Sequence, residues 1–292
     1  MILLKTDNPL HPDHFLQIVP PIGIPLWMEG MIDKKDAHAV AIVGTRKPSL
    51  YGIELARDIA TIAAKKGWTV VSGFARGIDT EAHRAALVAG GRTIAVLGTG
   101  LDNLYPEENI ALAREVAAQG ALLSQFHPEV RPLRRNFPIR NRTIALLARF
   151  TVVVEAGMRS GSLITARHAL ETGRYVYIAP GQIGEERFNG NRLFLQKAAG
   201  NQRVSLLTDI DAIFATPESS VCPETVPPMT LPDDLSPEER HIITTLAGMP
   251  LTFDDLVVQT AIPASALPAV LLPLLMRGLI AEEPGNRYRI NH

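Results

Sequence analysis

An α/β fold is what this sequence predicts: a parallel sheet with helices on both faces, followed by a small winged-helix-like domain. Three observations predict it. Short runs rich in β-branched residues alternate with helix-length segments from residue 40 onward. The runs are apolar at successive positions, as in strands buried on both faces. After Phe214 the composition changes, and a separate helix-rich stretch begins near residue 237.

The strand-like runs are Val40–Val43, Thr69–Ser72, Thr93–Leu97, Leu122–Ser124, Thr151–Val154 and Tyr175–Ile178. Between them, helices are predicted near 52–66, 79–90, 107–119, 139–148 and 161–173. Gly67, Gly90, Gly120 and Gly173 stand where these helices stop, and are expected to take the left-handed conformation that closes a helix. Strand and helix alternating this often argues for a parallel sheet covered on both sides. Residues 216–237 contain six prolines and no periodicity, so 216–236 reads as a semi-rigid linker.

Beyond the linker a helix follows Ser236-Pro-Glu-Glu, a second lies near 253–259 and a third near 264–277. Pro268 and Pro273 fit poorly inside that third helix. A hairpin turning at Pro284-Gly285-Asn286 closes the chain, giving the order of a winged helix-turn-helix. The predicted divisions are therefore 1–215, 216–236 and 237–292.

Of the 292 residues 46% are hydrophobic and 20% charged, which suits a folded chain with a substantial core. A single cysteine, Cys222, excludes an intramolecular disulfide and a thiolate metal cluster. His127, His168 and His241 lack ligand spacing, so neither a metal site nor a cofactor is expected. The first residues lack a basic segment leading into a sustained apolar core, and no stretch approaches ~20 uncharged apolar residues. A cytoplasmic protein without a membrane span is the expectation.

Charge is distributed unevenly. The formal net charge is only −1, yet Arg131, Arg134, Arg135, Arg140, Arg142 and Arg149 crowd one acid-free stretch around Phe137. Local cation density beside an aromatic ring is how proteins hold single-stranded nucleic acid: guanidinium groups neutralise phosphates and the ring stacks on a base.

Three glycine-rich turns follow predicted strands: Gly44-Thr45-Arg46-Lys47, Ser72-Gly73-Phe74-Ala75-Arg76-Gly77, and Gly157-Met158-Arg159-Ser160-Gly161-Ser162. In an open parallel sheet, ligands bind where strands end and helices begin, and such turns let backbone N–H groups close on a phosphate. The turns match neither G-x-G-x-x-G nor G-x-x-x-x-G-K-[S/T], which disfavours a nicotinamide dinucleotide and a P-loop nucleotide.

An enzyme remains an alternative. Asp79 and His83 stand four apart, on one helix face, and Ser72 or Ser160 could complete a triad, although no G-x-S-x-G elbow exists. The simpler reading makes Asp79 a helix N-cap, His83 its packing or hydrogen-bonding neighbour, and Glu155 a group that fixes nearby backbone or an arginine. A nucleotide or nucleoside-phosphate hydrolase on a related fold is the rival function, but its P-G-G-x-G-T-x-x-E signature is absent from this sequence. An arginine patch that binds an acidic protein is the third.

Five separated motifs resemble the DNA-processing protein A (DprA/Smf) family. They are Ala41-Ile-Val-Gly-Thr-Arg46 with Tyr51-Gly52, Val71-Ser-Gly-Phe-Ala-Arg-Gly-Ile-Asp-Thr-Glu-Ala-His83, Ile94-Ala-Val-Leu-Gly-Thr-Gly-Leu-Asp102 with Tyr105-Pro106, Phe137-Pro-Ile-Arg-Asn-Arg142, and Val154-Glu-Ala156 with Ser160-Gly-Ser-Leu-Ile-Thr-Ala-Arg167. The resemblance covers about half the chain. It implies an extended Rossmann-like domain that binds single-stranded DNA without catalysis, protects incoming strands in natural transformation and loads the RecA recombinase as a homodimer.

Carried onto matching positions, the implied DNA site comprises Gly44, Thr45, Arg46, Ser72, Gly73, Arg76, Phe137, Arg140, Asn141, Arg142, Ser160, Gly161 and Ser162. The chain departs from the family pattern at Ser124-Gln-Phe-His-Pro-Glu129 and at Phe188-Asn-Gly-Asn-Arg192. The third helix of the terminal module carries one cation only, whereas a groove-reading helix should present Arg, Asn or Gln. A protein-contact or weak duplex-binding role is expected for that module.

Overall fold

The computed structural model describes residues 1–18, 21–215, 235–246, 251–260, 262–283 and 287–290. The chain divides into two compact units, Met1–Val226 and Pro227–His292. Most of the predicted linker, Cys222 and the turn at 284–286 lie outside the described residues.

The first unit is built on a nine-stranded sheet. In chain order its elements are β1 (Ile2–Leu4), α1 (Pro12–Phe15), β2 (Leu26–Gly30), β3 (Ala39–Val43), α2 (Leu50–Lys65), β4 (Thr69–Ser72), α3 (Ile78–Val88), β5 (Thr93–Leu97), α4 (Ile110–Gln119), β6 (Ala121–Ser124), α5 (Asn136–Leu147), β7 (Phe150–Val153), α6 (Ser162–Glu171), β8 (Tyr175–Ile178), α7 (Asn189–Lys197), β9 (Val204–Leu206) and α8 (Ile210–Ile213). The strand order is β1-β2-β6-β5-β4-β3-β7-β8-β9. From β6 to β9 all neighbours run parallel, while β2 is antiparallel to both β1 and β6.

The six predicted strands and five predicted helices are all present. The antiparallel pair β1–β2 and the edge strand β9 were not predicted.

Strand β3 shows why the run is continuously apolar. Ala39, Ala41 and Val43 join the core on one sheet face, whereas Val40 and Ile42 join the core on the other. The first core contains Ile144 and Ala145 of α5 with Ala166 and Ala169 of α6. The second contains Ala56, Ile59, Ala60 and Ala63 of α2 with Ala82 and Ala86 of α3. Alternation at period two thus feeds two helical layers from one strand.

Helices α2, α3 and α6 end as expected, since Gly67, Gly90 and Gly173 have φ of 75°, 73° and 77°. Gly120 does not: its φ is −167°, an extended conformation. It is glycine for a different reason, because a Cβ there would sit 1.9 Å from the Thr93 carbonyl oxygen.

The second unit comprises α9 (Pro237–Leu246), β10 (Leu251–Thr252), α10 (Phe253–Thr260), α11 (Leu267–Met276), β11 (Ile280–Glu283) and β12 (Arg287–Ile290). β12 pairs antiparallel with both β10 and β11, which is a winged-helix arrangement. Its own core is centred on Ile242, Leu256, Leu267, Leu271, Leu274 and Ile280. Ser236 and Glu239 close a reciprocal capping box at the start of α9. Pro268 falls in the first turn of α11, where its missing N–H is not needed, and Pro273 is accommodated inside the helix.

Candidate nucleic-acid interface

In sequence order, connections run from β3 through β4 and β5 to β6 on one side, and through β7 and β8 to β9 on the other. The order reverses between β3 and β7, the place where open parallel sheets form a crevice at strand carboxyl ends. A cavity of about 540 Å³ opens there. Its walls come from the β3–α2 turn (Gly44, Thr45, Arg46, Lys47), the β4–α3 turn (Ala75, Asp79), the start of α5 (Phe137, Arg140, Asn141) and the β7–α6 turn (Gly157 to Ser162).

Local chemistry holds these turns. Glu155 is fully buried and accepts from the Ser49 N–H (3.0 Å) and the Ser49 hydroxyl (2.6 Å), which ties the β3–α2 turn to the end of β7. The Thr45 N–H donates to the Glu155 carbonyl at 2.7 Å. Gly77, at φ 77°, brings the β4–α3 turn against it: a Cβ there would meet the Thr45 carbonyl oxygen at 2.4 Å. Across the cavity, the Ser160 and Ser162 hydroxyls share a hydrogen bond of 2.7 Å at the start of α6.

Arg46, Lys47 and Arg159 line the cavity with exposed side chains, and none has an acidic partner among the described residues. Phe137 is half-buried, with the Arg46 guanidinium carbon 5.4 Å and that of Arg140 5.8 Å from its ring centre. Tyr105 stands 6.2 Å away, ring centre to ring centre.

Arg140 differs from the rim cations. It is only 4% exposed, and its guanidinium donates to the Gly73 and Val96 carbonyls and to Asn141 Oδ1. Burial lowers its pKa to about 10, with Asp79 opposing that shift and Arg46 adding to it. Asp79, 6% exposed, also faces the cavity. Burial raises its pKa to about 6, against the pull of Arg140, the Ala75 N–H, the Ser72 side chain and the Gly73 N–H.

Of the predicted site residues, Gly44, Thr45, Arg46, Phe137, Arg140, Asn141, Ser160, Gly161 and Ser162 line this cavity. Gly73 lies just beneath, where a Cβ would meet Asp79 Oδ2 at 2.7 Å and the Arg140 guanidinium at 2.9 Å. Three others lie elsewhere. Ser72 is fully buried and donates to the Ile42 carbonyl. Arg76 lies outside the cavity lining and pairs with Glu108 at 2.8 Å. Arg142 follows Arg140 by two residues, about 200° around a helix, which turns it away from the cavity toward Ile22. Burial lowers the pKa of Arg142, with Asp13 and Glu171 opposing.

The arginine-rich stretch is therefore not one patch. Arg131, Arg134 and Arg135 are exposed in the loop before α5, while Arg149 donates to the Ala37 carbonyl. Lys47 and Arg159 were absent from the predicted site, although both stand in the glycine-rich turns that predicted it.

The triad alternative finds no assembly here. His83 Nδ1 lies 2.6 Å from Thr93 Oγ1, and the Ser72 and Ser160 hydroxyls are engaged elsewhere. Asp79 is not the N-cap of α3, a position held by Gly77; it stands one residue inside the helix. At the family departures, Gln125 accepts from the Thr143 hydroxyl, Phe188 is buried beside Gly181, and Arg192 bonds Asn189 and the Gln182 carbonyl. Among the described residues no helix is long and apolar enough to cross a membrane, and no three His, Cys, Asp or Glu residues cluster as a metal site.

Residues 3–215 match the family described as DNA recombination-mediator protein A, and residues 226–286 match the DprA winged helix domain. Protein Smf of Synechocystis sp. is 35% identical, with the alignment covering 98% of this chain and 79% of that protein. The X-ray structure of DNA processing protein A from Streptococcus pneumoniae superposes with a TM-score of 0.65 at 36% identity, covering 73% of each chain. A Helicobacter pylori DNA processing protein A, whose structure is described as showing a single-stranded DNA binding mode, superposes with a TM-score of 0.61 at 27% identity over 73% of this chain and 94% of that one. The match across both units makes this chain a member of the DprA/Smf family of DNA-processing proteins.

Proposed function

We propose that the chain binds single-stranded DNA along the rim of the switch-point cavity and acts without catalysis. The observation that carries this reading is the set of three exposed cations, Arg46, Lys47 and Arg159, around a half-buried phenylalanine. Phosphates would lie against these cations and the start of α6, where the helix dipole favours negative charge. A base would stack on the Phe137 ring as the Arg46 guanidinium moves onto a phosphate. Contacts of this kind read the backbone and are tolerant of sequence. The named binding mode of the Helicobacter pylori relative supports the same ligand.

The wider role belongs to the same proposal. The chain would protect incoming strands in natural transformation and pass them to the RecA recombinase as a cytoplasmic homodimer. Its 1–215 region would hold the DNA, 216–236 would act as a linker, and 237–292 would contact a protein or weakly a duplex.

The test is Arg46→Ala, titrated into labelled oligothymidine by fluorescence anisotropy at two ionic strengths. Loss of one charge-assisted phosphate contact should weaken binding about tenfold. It should also flatten the slope of log affinity against log salt by about 0.7. Unchanged affinity and unchanged slope would remove Arg46 from the site.

A further inference from the structure

Asp79 is a buried acid beside a site built for a polyanion. Its carboxylate fixes the β4–α3 turn: it accepts from the Ala75 N–H at 3.3 Å, and the Gly73 N–H and the Ser72 side chain favour its charged form. It also lines the cavity, where it is the one acid among the described residues, and no histidine lines it. Arg140 faces it from α5, Arg46 and Lys47 stand on the β3–α2 turn, and Arg159 on the β7–α6 turn. His83, one turn further along α3, is held neutral down to about pH 3.

Phosphates drawn to the exposed cations bring negative charge up to this carboxylate. Water screens that repulsion poorly, because Asp79 is 6% exposed. One proton removes it. Protonation also leaves the Arg140 charge uncancelled, which adds to the attraction for phosphate. The turn survives the change, since a neutral carboxyl keeps an acceptor oxygen for the Ala75 N–H. Burial has already brought the acid within reach of mild pH, at about 6.

Resting on the single-stranded DNA reading above, we infer that strand binding is coupled to uptake of a proton at Asp79, so that the site grips DNA more tightly in mildly acidic solution and loosens toward alkaline pH. The sign follows from linkage. A bound strand favours the neutral acid and raises its pKa above 6 in the complex. Below pH 6 the free protein already carries the proton, and affinity is at its plateau. Affinity falls as pH rises from 6 through the raised value, and then levels.

The test titrates the full chain into labelled oligothymidine by fluorescence anisotropy from pH 5.5 to 8.5 at fixed ionic strength, a range in which neither thymine nor the phosphodiester takes up a proton. If the strand strengthens proton binding at Asp79 about three- to tenfold, affinity must fall by the same factor from the acidic plateau to the alkaline one. Asp79→Asn is neutral throughout. It should bind at pH 8 nearly as the native chain does at pH 6, and vary by less than about twofold across the range. Calorimetric titration of the native chain at pH 6.5, in two buffers of different ionisation enthalpy, should show uptake of about half a proton per strand. If the variant does not fold, that calorimetry decides alone. Affinity that is flat or rises with pH, absence of proton uptake, or a pH dependence that persists in Asp79→Asn overturns the coupling and leaves the rim assignment standing. Failure to bind oligothymidine at any pH overturns both.

Discussion

His83→Gln tests how the interior behind the site is held together. His83 is fully buried in α3, and its Nδ1 lies 2.6 Å from Thr93 Oγ1. The Thr93 hydroxyl already donates to the Val70 carbonyl, so the imidazole must carry its proton on Nδ1 and donate. Nε2 is buried without a partner. A second proton would place a charge there with no acceptor. Burial first, and the neighbouring Arg140 second, therefore lower the pKa from 6.5 to about 3.

The sign of the linkage follows. The unfolded chain takes up this proton near pH 6.5 and the folded chain only near pH 3, so the stabilisation is complete above pH 6.5. It is lost as pH falls toward 3, at about 1.4 kcal/mol per pH unit. Asp79 works in the opposite direction. With its pKa raised from 3.8 to about 6, its contribution is full below pH 3.8 and is lost as pH rises to 6. The two slopes partly cancel in the native protein, so the difference between native and variant is the informative quantity.

Glutamine keeps a donor for Thr93 and cannot take a proton in this range. Urea unfolding followed by tryptophan fluorescence reports the first unit alone, because both tryptophans, Trp27 and Trp68, lie in it. Between pH 6 and 4 the native chain should lose about 1.4 kcal/mol per pH unit relative to His83→Gln. Parallel curves would show that His83 is not held neutral, and the reasoning about this buried cluster would fail.

Other expectations concern the turns and the second unit. Gly77→Ala forces a side chain into the left-handed region and against the Thr45 carbonyl, so unfolding free energy should fall by about 2 kcal/mol or more and DNA affinity should fall with it. Arg159→Ala should weaken single-stranded DNA binding severalfold, whereas Arg76→Ala, which breaks only an exposed pair with Glu108, should change it by less than about twofold in the same titration. Leu274→Ala empties a fully buried position in the second unit and should destabilise that unit by about 2–5 kcal/mol. Circular dichroism would register that loss while the tryptophan transition stays fixed.

The central sheet was legible because β3 to β7 are buried on both faces and so read as apolar runs, whereas the parallel edge strand β9 is largely exposed and does not. The same physics hid the first strands. β1 and β2 are antiparallel, and β1 is an edge strand with Ile2 and Leu3 exposed, so no continuous run marks it. β10 has two residues and carries no periodic signal at all. The site was legible through its turns, since glycines packed against Ile78, Asp79 and the Thr45 carbonyl leave a local signature.

Which cation faces the cavity was harder to read. A run of arginines announces charge, but helix phase separates Arg140 from Arg142, and burial spends Arg140 on the carbonyls of Gly73 and Val96. Lys47 and Arg159 were visible as residues of the right turns. That they face the cavity unpaired among the described residues, while Arg76 is held by Glu108, 32 residues further on, depends on neighbours distant in sequence.

The central claim is that a DNA strand lies across the carboxyl ends of β3, β4 and β7. Photo-crosslinking of oligothymidine in which one thymine is replaced by 4-thiothymine, followed by peptide mapping, tests it directly. Adducts should fall on Phe137 and on the turns at 44–47 and 157–162. Adducts confined to α11 and β12 of the second unit, or to the exposed edge at β1, would contradict it.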